Sequence, residues 1–409
     1  MLRPYQQRTI DQARAAYSQG SRAILVVAPT GAGKTVIGST IATSGAAKSR
    51  VLWLAHRQEL VDQVVPRVPP GVRVTTVQAL AASGERPPAE IVILDEAHHY
   101  LAAQWGAIAG HYRTALRIGL TATPERADGT PLGDLFDHLV VSASYSELLA
   151  GGWIVPCEVY APDKRRGSLA MTPGEAVRDL AAGRQSIVFC ATVQEARDAA
   201  ATIRGAACVD GETDGSVRKD LIEQFRAGEL ATLTNVYCLT EGFDAPAAAV
   251  CVIARGCSHS STYLQMVGRV LRPAGGKQQA TLVDLCGVVH DHGWPTEDRA
   301  YSLTGEGIKR GGTKVVIWQC KGCGICLPAA PPNRICTECG SRIPEPEALR
   351  IARRRLERKE RDAIAPPDQQ AKAWDEIVKL ARIKGYKMGW AWHRFRSRFG
   401  CDPPRSVHA

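Results

Sequence analysis

Six consecutive residues, Thr30-Gly31-Ala32-Gly33-Lys34-Thr35, bring two glycines, a lysine and a hydroxyl together where they could hold phosphate. They follow the apolar run Ala23-Ile24-Leu25-Val26-Val27 and precede residues 36–47, whose Ile37, Ile41 and Ala42 suit a helix lying on a sheet. A glycine turn between a strand and a helix leaves backbone N–H groups unpaired and aimed at one spot. A lysine there reaches the β and γ oxygens of a triphosphate, and the neighbouring hydroxyl can ligate Mg2+. The flanking strand and helix set this stretch apart from a chance glycine loop. The expectation is nucleoside triphosphate binding at Thr30, Gly31, Ala32, Gly33, Lys34 and Thr35.

Hydrolysis asks for a base and for cations that meet developing charge. Asp95-Glu96-Ala97-His98 stands directly after the apolar run 91–94. A carboxylate beside a buried strand is costly unless it meets a cation. Asp95 is therefore placed to hold Mg2+ through water, and Glu96 to orient and deprotonate the attacking water. Alone, the tetrapeptide could be no more than an acidic helix start; its place after the glycine turn favours the site. Thr121-Ala122-Thr123-Pro124 offers hydroxyls for a hydrogen-bonded link toward a second domain, or only a turn. Arg269 and Arg272 are three apart, so on a helix they would share one face. Facing a γ-phosphate they would act as arginine fingers; facing water they would be an ordinary solvated surface.

Such groups need a rigid frame. Strand-like runs at 23–28, 51–55, 72–76, 91–94 and 116–120 alternate with helical stretches, the pattern of a parallel sheet covered on both faces. A second alternation follows, with runs at 186–190, 206–209, 231–235, 248–253 and 281–285 and helices at 193–203, 216–226 and 262–271. Ligands of such folds gather beyond the carboxyl ends of the strands. Gly151-Gly152, after the helical stretch 145–150, marks the boundary. The fold expected is α/β, with two parallel-sheet domains in tandem. No apolar run approaches the ~18 residues that span a bilayer, and Met1 to Gln7 lacks a signal-peptide pattern. A cytoplasmic location is the expectation.

Charge and cysteine both shift after residue 300. Of 51 basic residues 22 lie there, against 11 of 41 acidic ones, so the first 300 residues sum to −1 and the last 109 to +11. That excess suits a polyanion, or else a solvated basic helix. Five of thirteen cysteines cluster as Cys320-x2-Cys323, Cys326 and Cys336-x2-Cys339. Paired C-x2-C knuckles are the form of a four-thiolate zinc ribbon, and Cys326 is an alternative ligand. No regular framework relates the other eight, which argues against a secreted disulfide protein. Residues 348–362 read as a basic helix. Residues 384–399 interleave cations with aromatics, Lys387, Trp390 and Arg394 among them. That mixture suits phosphates and unpaired bases; equally, Trp390, Phe395 and Phe399 could be the core of a helical hairpin.

In this order the motifs resemble those of superfamily 2 DEAD/DEAH-box helicases, over roughly residues 2–290, and most nearly RadD-like and phage-encoded DNA helicases. Leu2-Arg3-Pro4-Tyr5-Gln6 looks like a Q-motif entry, which implies adenine contacts from Arg3 and Gln6. Lys34 and Thr35 match motif I, Asp95 to His98 match motif II in its DEAH form, and Thr121-Ala122-Thr123 matches motif III. Gly242 and Asp244 in motif V, with Gln265, Arg269 and Arg272 in motif VI, are implied near the nucleotide. Strand-contacting motifs imply nucleic-acid contacts from His56, Arg57, Thr76, Gln78, Thr192, Thr234 and Asn235. The resemblance implies two RecA-like lobes, residues 1–148 and 149–300, ahead of a zinc ribbon at 313–345 and a basic tail at 346–409. It implies ATP and Mg2+ as cofactors beside structural Zn2+. It also implies ATP-driven unwinding or remodelling of single-stranded or branched DNA in repair, recombination or phage replication. Single-strand-binding or replication and repair proteins would be companions. The alternatives are an RNA helicase, the motor of a restriction or anti-phage system with a separate nuclease, and an adaptor whose motor has decayed.

Overall fold

The computed structural model describes residues 2–99, 103–124, 131–163, 168–240, 242–304, 317–346, 367–399 and 401–403. The chain divides into two units, Met1–Val315 with Lys321–Pro328, and Val316–Cys320 with Ala329–Ala409.

The first unit holds two sheets. In the first sheet β1 (Ala23–Val27), β2 (Val51–Ala55), β3 (Val72–Thr76), β4 (Ile91–Asp95), β5 (Leu116–Thr121) and β6 (His138–Val141) lie in the order β3-β2-β4-β5-β1-β6. Every pairing is parallel. All five residues of β1 and of β2 are buried, which is why their sequences read as unbroken apolar runs rather than alternating ones. The helix Pro4–Ser18 packs against β1, β6 and the helix Lys34–Ala46, which follows the glycine turn.

The second sheet is built from β7 (Cys157–Tyr160), β8 (Ser186–Cys190), β9 (Ala206–Val209), β10 (Thr232–Asn235), β11 (Val250–Ala254) and β12 (Ala280–Asp284) in the order β7-β12-β11-β8-β10-β9, all parallel. The strand Ile325–Leu327 adds antiparallel to β7. A core of Ala176, Val188, Cys190, Ala199, Val250, Val252 and Val283 joins the sheet to its helices. β6 and β7 were not expected from the sequence; their burial is mixed, buried with half-buried or exposed positions, unlike the fully buried β1 and β2.

In the second unit the helices Pro367–Ile383 and Met388–Phe399 pair as a hairpin. Ala373, Ile377, Ala381, Ala391, Phe395 and Phe399 form its core, with Trp390 packed at the margin. The hairpin alternative thus describes Phe395 and Phe399 as core and Trp390 as packed against it. The basic run 348–362 lies outside the described residues. Among the described residues no helix is long and apolar enough to cross a membrane.

Candidate nucleotide cleft

The glycine turn leaves β1 and opens the helix Lys34–Ala46 with Gly33 at its N-cap, φ 82°, and no side-chain cap. A Cβ at Gly33 would lie 2.6 Å from the Gln6 amide nitrogen, so a left-handed glycine is needed for both angle and space. The N–H groups of the first turn are thereby left open to an anion. Tyr5 and Gln6 brace the turn from outside: the Tyr5 hydroxyl and the Gln6 amide donate to the Ala32 carbonyl at 2.8 and 3.0 Å. Gln6 Oε1 also accepts from the Arg3 backbone N–H at 3.0 Å.

Lys34 Nζ lies 3.0 Å from Glu96 Oε1, with both side chains about nine-tenths buried. Glu96 takes a left-handed backbone, φ 48°, directly after β4. A glutamate pays for that conformation in strain, the kind of local cost that gathers at functional sites. Asp95 is 3% exposed, and one of its carboxylate oxygens accepts from the Glu96 N–H at 3.1 Å. From Glu96 a polar chain continues. His98 Nδ1 sits 3.6 Å from Glu96 Oε2 and 3.0 Å from the Thr121 hydroxyl. That hydroxyl donates to the Thr123 carbonyl at 2.6 Å. These contacts run from Lys34 to Thr123 within the first sheet's part of the chain, with an ion-pair distance rather than a hydrogen bond between Glu96 and His98, so they do not reach the second domain of the expectation.

A cleft of about 290 Å3 brings the expected groups together. Arg3, Thr30, Gly31, Gly33, Lys34, Thr35, Asp95 and Glu96 line it from the first sheet, and Gly242, Asp244, Arg269 and Arg272 from the second. Gln6, Ala32 and Gln265 are not among its lining residues. Gln265 is buried, and its carbonyl accepts from Arg269 Nε at 3.3 Å.

One expectation needs correction. Arg269 and Arg272 do not share a helical face, because the helix Ser260–Gly268 stops before them and Arg269 is its C-cap. Gly268 shows why: a Cβ there would overlap Thr30 Cβ and Cγ2, so this helix end abuts the glycine turn. The chain then turns, and both arginines still reach the cleft. Arg269, 7% exposed, donates to the Phe243 carbonyl at 2.6 Å, and Arg272 pairs with Asp244. Gly268 and Trp153, another lining residue, were not singled out from the sequence. A small residue beside the arginine pair was the only available signal for Gly268.

The expected nucleic-acid residues separate into two groups. His56 and Arg57 follow β2, and Thr76 ends β3, so they gather beyond neighbouring carboxyl ends. The exposed Gln78 donates to the His56 carbonyl at 3.0 Å, while Thr76 caps the helix Val77–Ser83. On the second sheet Thr234 and Asn235 are fully buried. The Thr234 hydroxyl donates to the Ala196 carbonyl at 2.7 Å, and the Asn235 amide to the Val188 carbonyl at 3.0 Å. Both side chains are thus engaged inside the fold rather than presented at its surface. Thr192 caps the helix Val193–Thr202 in a capping box with Glu195. In the hairpin, Lys387 is exposed and Arg394 stacks over Trp390 at 5.1 Å.

The Sγ atoms of Cys320, Cys323, Cys336 and Cys339 lie within 4.8 Å of one another, a set four thiolates could offer to zinc. Cys326 is not in the set. It is buried in the strand Ile325–Leu327 and near the Ala161 carbonyl, and burial pushes its thiol up to about 12.

The family described as "Type III restriction enzyme, res subunit" matches residues 1–70 and 71–126, and "Helicase conserved C-terminal domain" matches residues 173–274. The chain belongs to the superfamily 2 helicases. It is similar to a 51.5 kDa protein of a Lactococcus phage (isolate 7-9), 28% identical over 353 residues and covering 77% of each chain. It is also similar to the DNA 3'-5' helicase XPB of Mycobacterium tuberculosis, 29% identical over 327 residues, covering 66% of this chain but only 58% of that one. A fragment assigned to the HsdR subunit of a type I restriction enzyme from Vibrio vulnificus shares the fold. Its TM-score is 0.59 at 23% identity, covering 71% of this chain and 65% of that one.

Proposed function

We propose that the protein is an ATP-dependent DNA helicase or translocase. The observation that carries this reading is one cleft lined by the glycine turn and Asp95-Glu96 of the first sheet and by Arg269 and Arg272 of the second. Open N–H groups of the turn and Lys34 bind the phosphates. Thr35 and Asp95 would hold Mg2+, a fit supported by a buried carboxylate beside the turn; the ion would offset phosphate charge. Lys34, drawn from Glu96 to phosphate oxygens, releases the Glu96 carboxylate to take a proton from water. Arg269 and Arg272 stabilise charge on the transferring group, and Arg272 must leave Asp244 to do so. Hydrolysis is thereby tied to how the two sheets meet, which is how opening and closing would move the protein along a strand.

DNA is the partner favoured by the relative named a DNA 3'-5' helicase. His56, Arg57, Thr76 and Gln78 are proposed to touch its backbone, and Lys387, Trp390 and Arg394 to form a second basic surface. Four thiolates from Cys320, Cys323, Cys336 and Cys339 are proposed to hold one structural Zn2+. The likeness to restriction subunits favours a second reading, a motor that serves a separate nuclease. The test is phosphate release with matched DNA and RNA strands. Stimulation by DNA, lost in Lys34→Ala, supports the proposal; equal or greater stimulation by RNA contradicts it. Copurification of a nuclease that cuts only while ATP is hydrolysed would select the second reading.

A further inference from the structure

A second cavity, of about 650 Å3 and larger than the nucleotide cleft, opens at the amino ends of the first sheet. The two share no lining residue. β2 runs between the two edges: Arg50 precedes this five-residue strand and lines the cavity, whereas His56 follows it. At ~3.3 Å per residue those edges stand roughly 17 Å apart.

The cavity is apolar within and basic around. Its buried and half-buried lining residues are largely apolar, Tyr112, Ala115 and Leu116 among them, while Arg22, Lys48, Arg50 and His111 are exposed. Glu90 is the only carboxylate in the lining, and Arg50 occupies it. The Arg50 backbone N–H donates to Glu90 Oε2 at 2.7 Å and its Nε to Oε1 at 3.0 Å, which holds the Glu90 carboxyl down at about 2. The other cations are not neutralised. The Arg22 guanidinium lies over the Tyr17 ring at 4.6 Å and donates to the Tyr17 and Ser21 carbonyls rather than to a carboxylate. Lys48 and His111 have no ion-pair partner among the described residues.

A recess with an apolar interior and unpaired cations suits a ligand that carries carboxylates and an apolar side chain. The last 109 residues of this chain sum to +11 and would be repelled, so the ligand belongs to another protein. A nucleic-acid strand would ask for rings open to successive bases; Tyr17, the exposed tyrosine here, is already stacked by Arg22. We propose that this cavity docks an acidic peptide segment of a partner protein, with carboxylates on Arg22 and Lys48 and one apolar side chain against Ala115 and Leu116. Lying across the sheet from the cleft and from His56, it would fill independently of ATP and DNA.

Fluorescence anisotropy of the full chain with a short labelled peptide of aspartate and glutamate carrying one phenylalanine tests this. The unaltered protein should bind the peptide. Arg22→Glu combined with Lys48→Glu should weaken binding on the order of ten-fold, with melting temperature and basal ATP turnover unchanged. Replacing the phenylalanine of the peptide by alanine should also weaken it, and saturating single-stranded DNA should leave the peptide bound. Absence of binding, equal affinity for the alanine peptide, or unchanged affinity in the double variant overturns the proposal. Displacement by DNA overturns it too, by making the peptide a mimic of nucleic acid.

Discussion

The two sheets of the first unit share one construction and use their strand ends differently. Beyond β1 and β4 the first sheet presents Lys34 and Glu96 to each other across 3.0 Å, in a cleft wide enough to admit a ligand. At the end of β10 the second sheet turns Thr234 and Asn235 inward, where hydroxyl and amide secure neighbouring backbone. Its contribution to the cleft comes instead from Arg269 and Arg272, beyond the end of a helix. The first sheet's Lys34 and Glu96 line the cleft, whereas the β10 side chains hold backbone at Ala196, Val188 and Leu239.

That contrast can be broken in order of expected effect. Glu96→Gln should lower ATP turnover by about 10²–10⁴-fold while ATP still binds, read as phosphate release against equilibrium binding; near-normal turnover removes Glu96 as the base. Arg272→Ala should also cost turnover by orders of magnitude, about 10³-fold on the arginine-finger scale, with little change in melting temperature. Arg269→Ala should lose both activity and stability, because Arg269 is buried and its guanidinium holds the Phe243 carbonyl. Asn235→Ala should act mainly on folding, by about 1–3 kcal/mol for buried partners left unpaired. Denaturant titration checks this, and unchanged stability with lost DNA binding would return Asn235 to the nucleic-acid surface. Smallest is Thr192→Ala, expected to cost ~1 kcal/mol as the loss of a helix cap.

The cysteine cluster allows a comparison of its own. Chelation of a bound zinc should expose four alkylatable thiols near pH 8, whereas Cys326 stays unreacted while the strand Ile325–Leu327 is folded. The reactive form of cysteine is the thiolate. With the Cys326 thiol raised to about 12 by burial, that form is scarce until pH approaches 12. Mass spectrometry of modified sites would show it, and alkylation of Cys326 with retention of one of the other four would reverse the ligand choice.

Much of this arrangement was readable from residue order. Unbroken apolar runs marked β1, β2 and β8 because parallel strands buried on both faces carry no polar alternation. Lys34, Asp95 and Glu96 were legible because their chemistry depends on local neighbours along the chain. The short β6 and β7 were not, and neither was the end of the arginine helix. Gly268 stops against Thr30, more than two hundred residues away in sequence, and no local pattern records such a contact. Burial of Thr234 and Asn235 was hidden for a similar reason: polar residues within a strand resemble ligand contacts until their backbone partners are known.

The central claim is that one hydrolytic site is completed by two sheets. Single-turnover hydrolysis of saturating ATP by Arg272→Ala, with DNA present, tests it most directly. The account predicts ATP bound at near-normal affinity and hydrolysed orders of magnitude more slowly. Hydrolysis at the rate of the unaltered protein would contradict it.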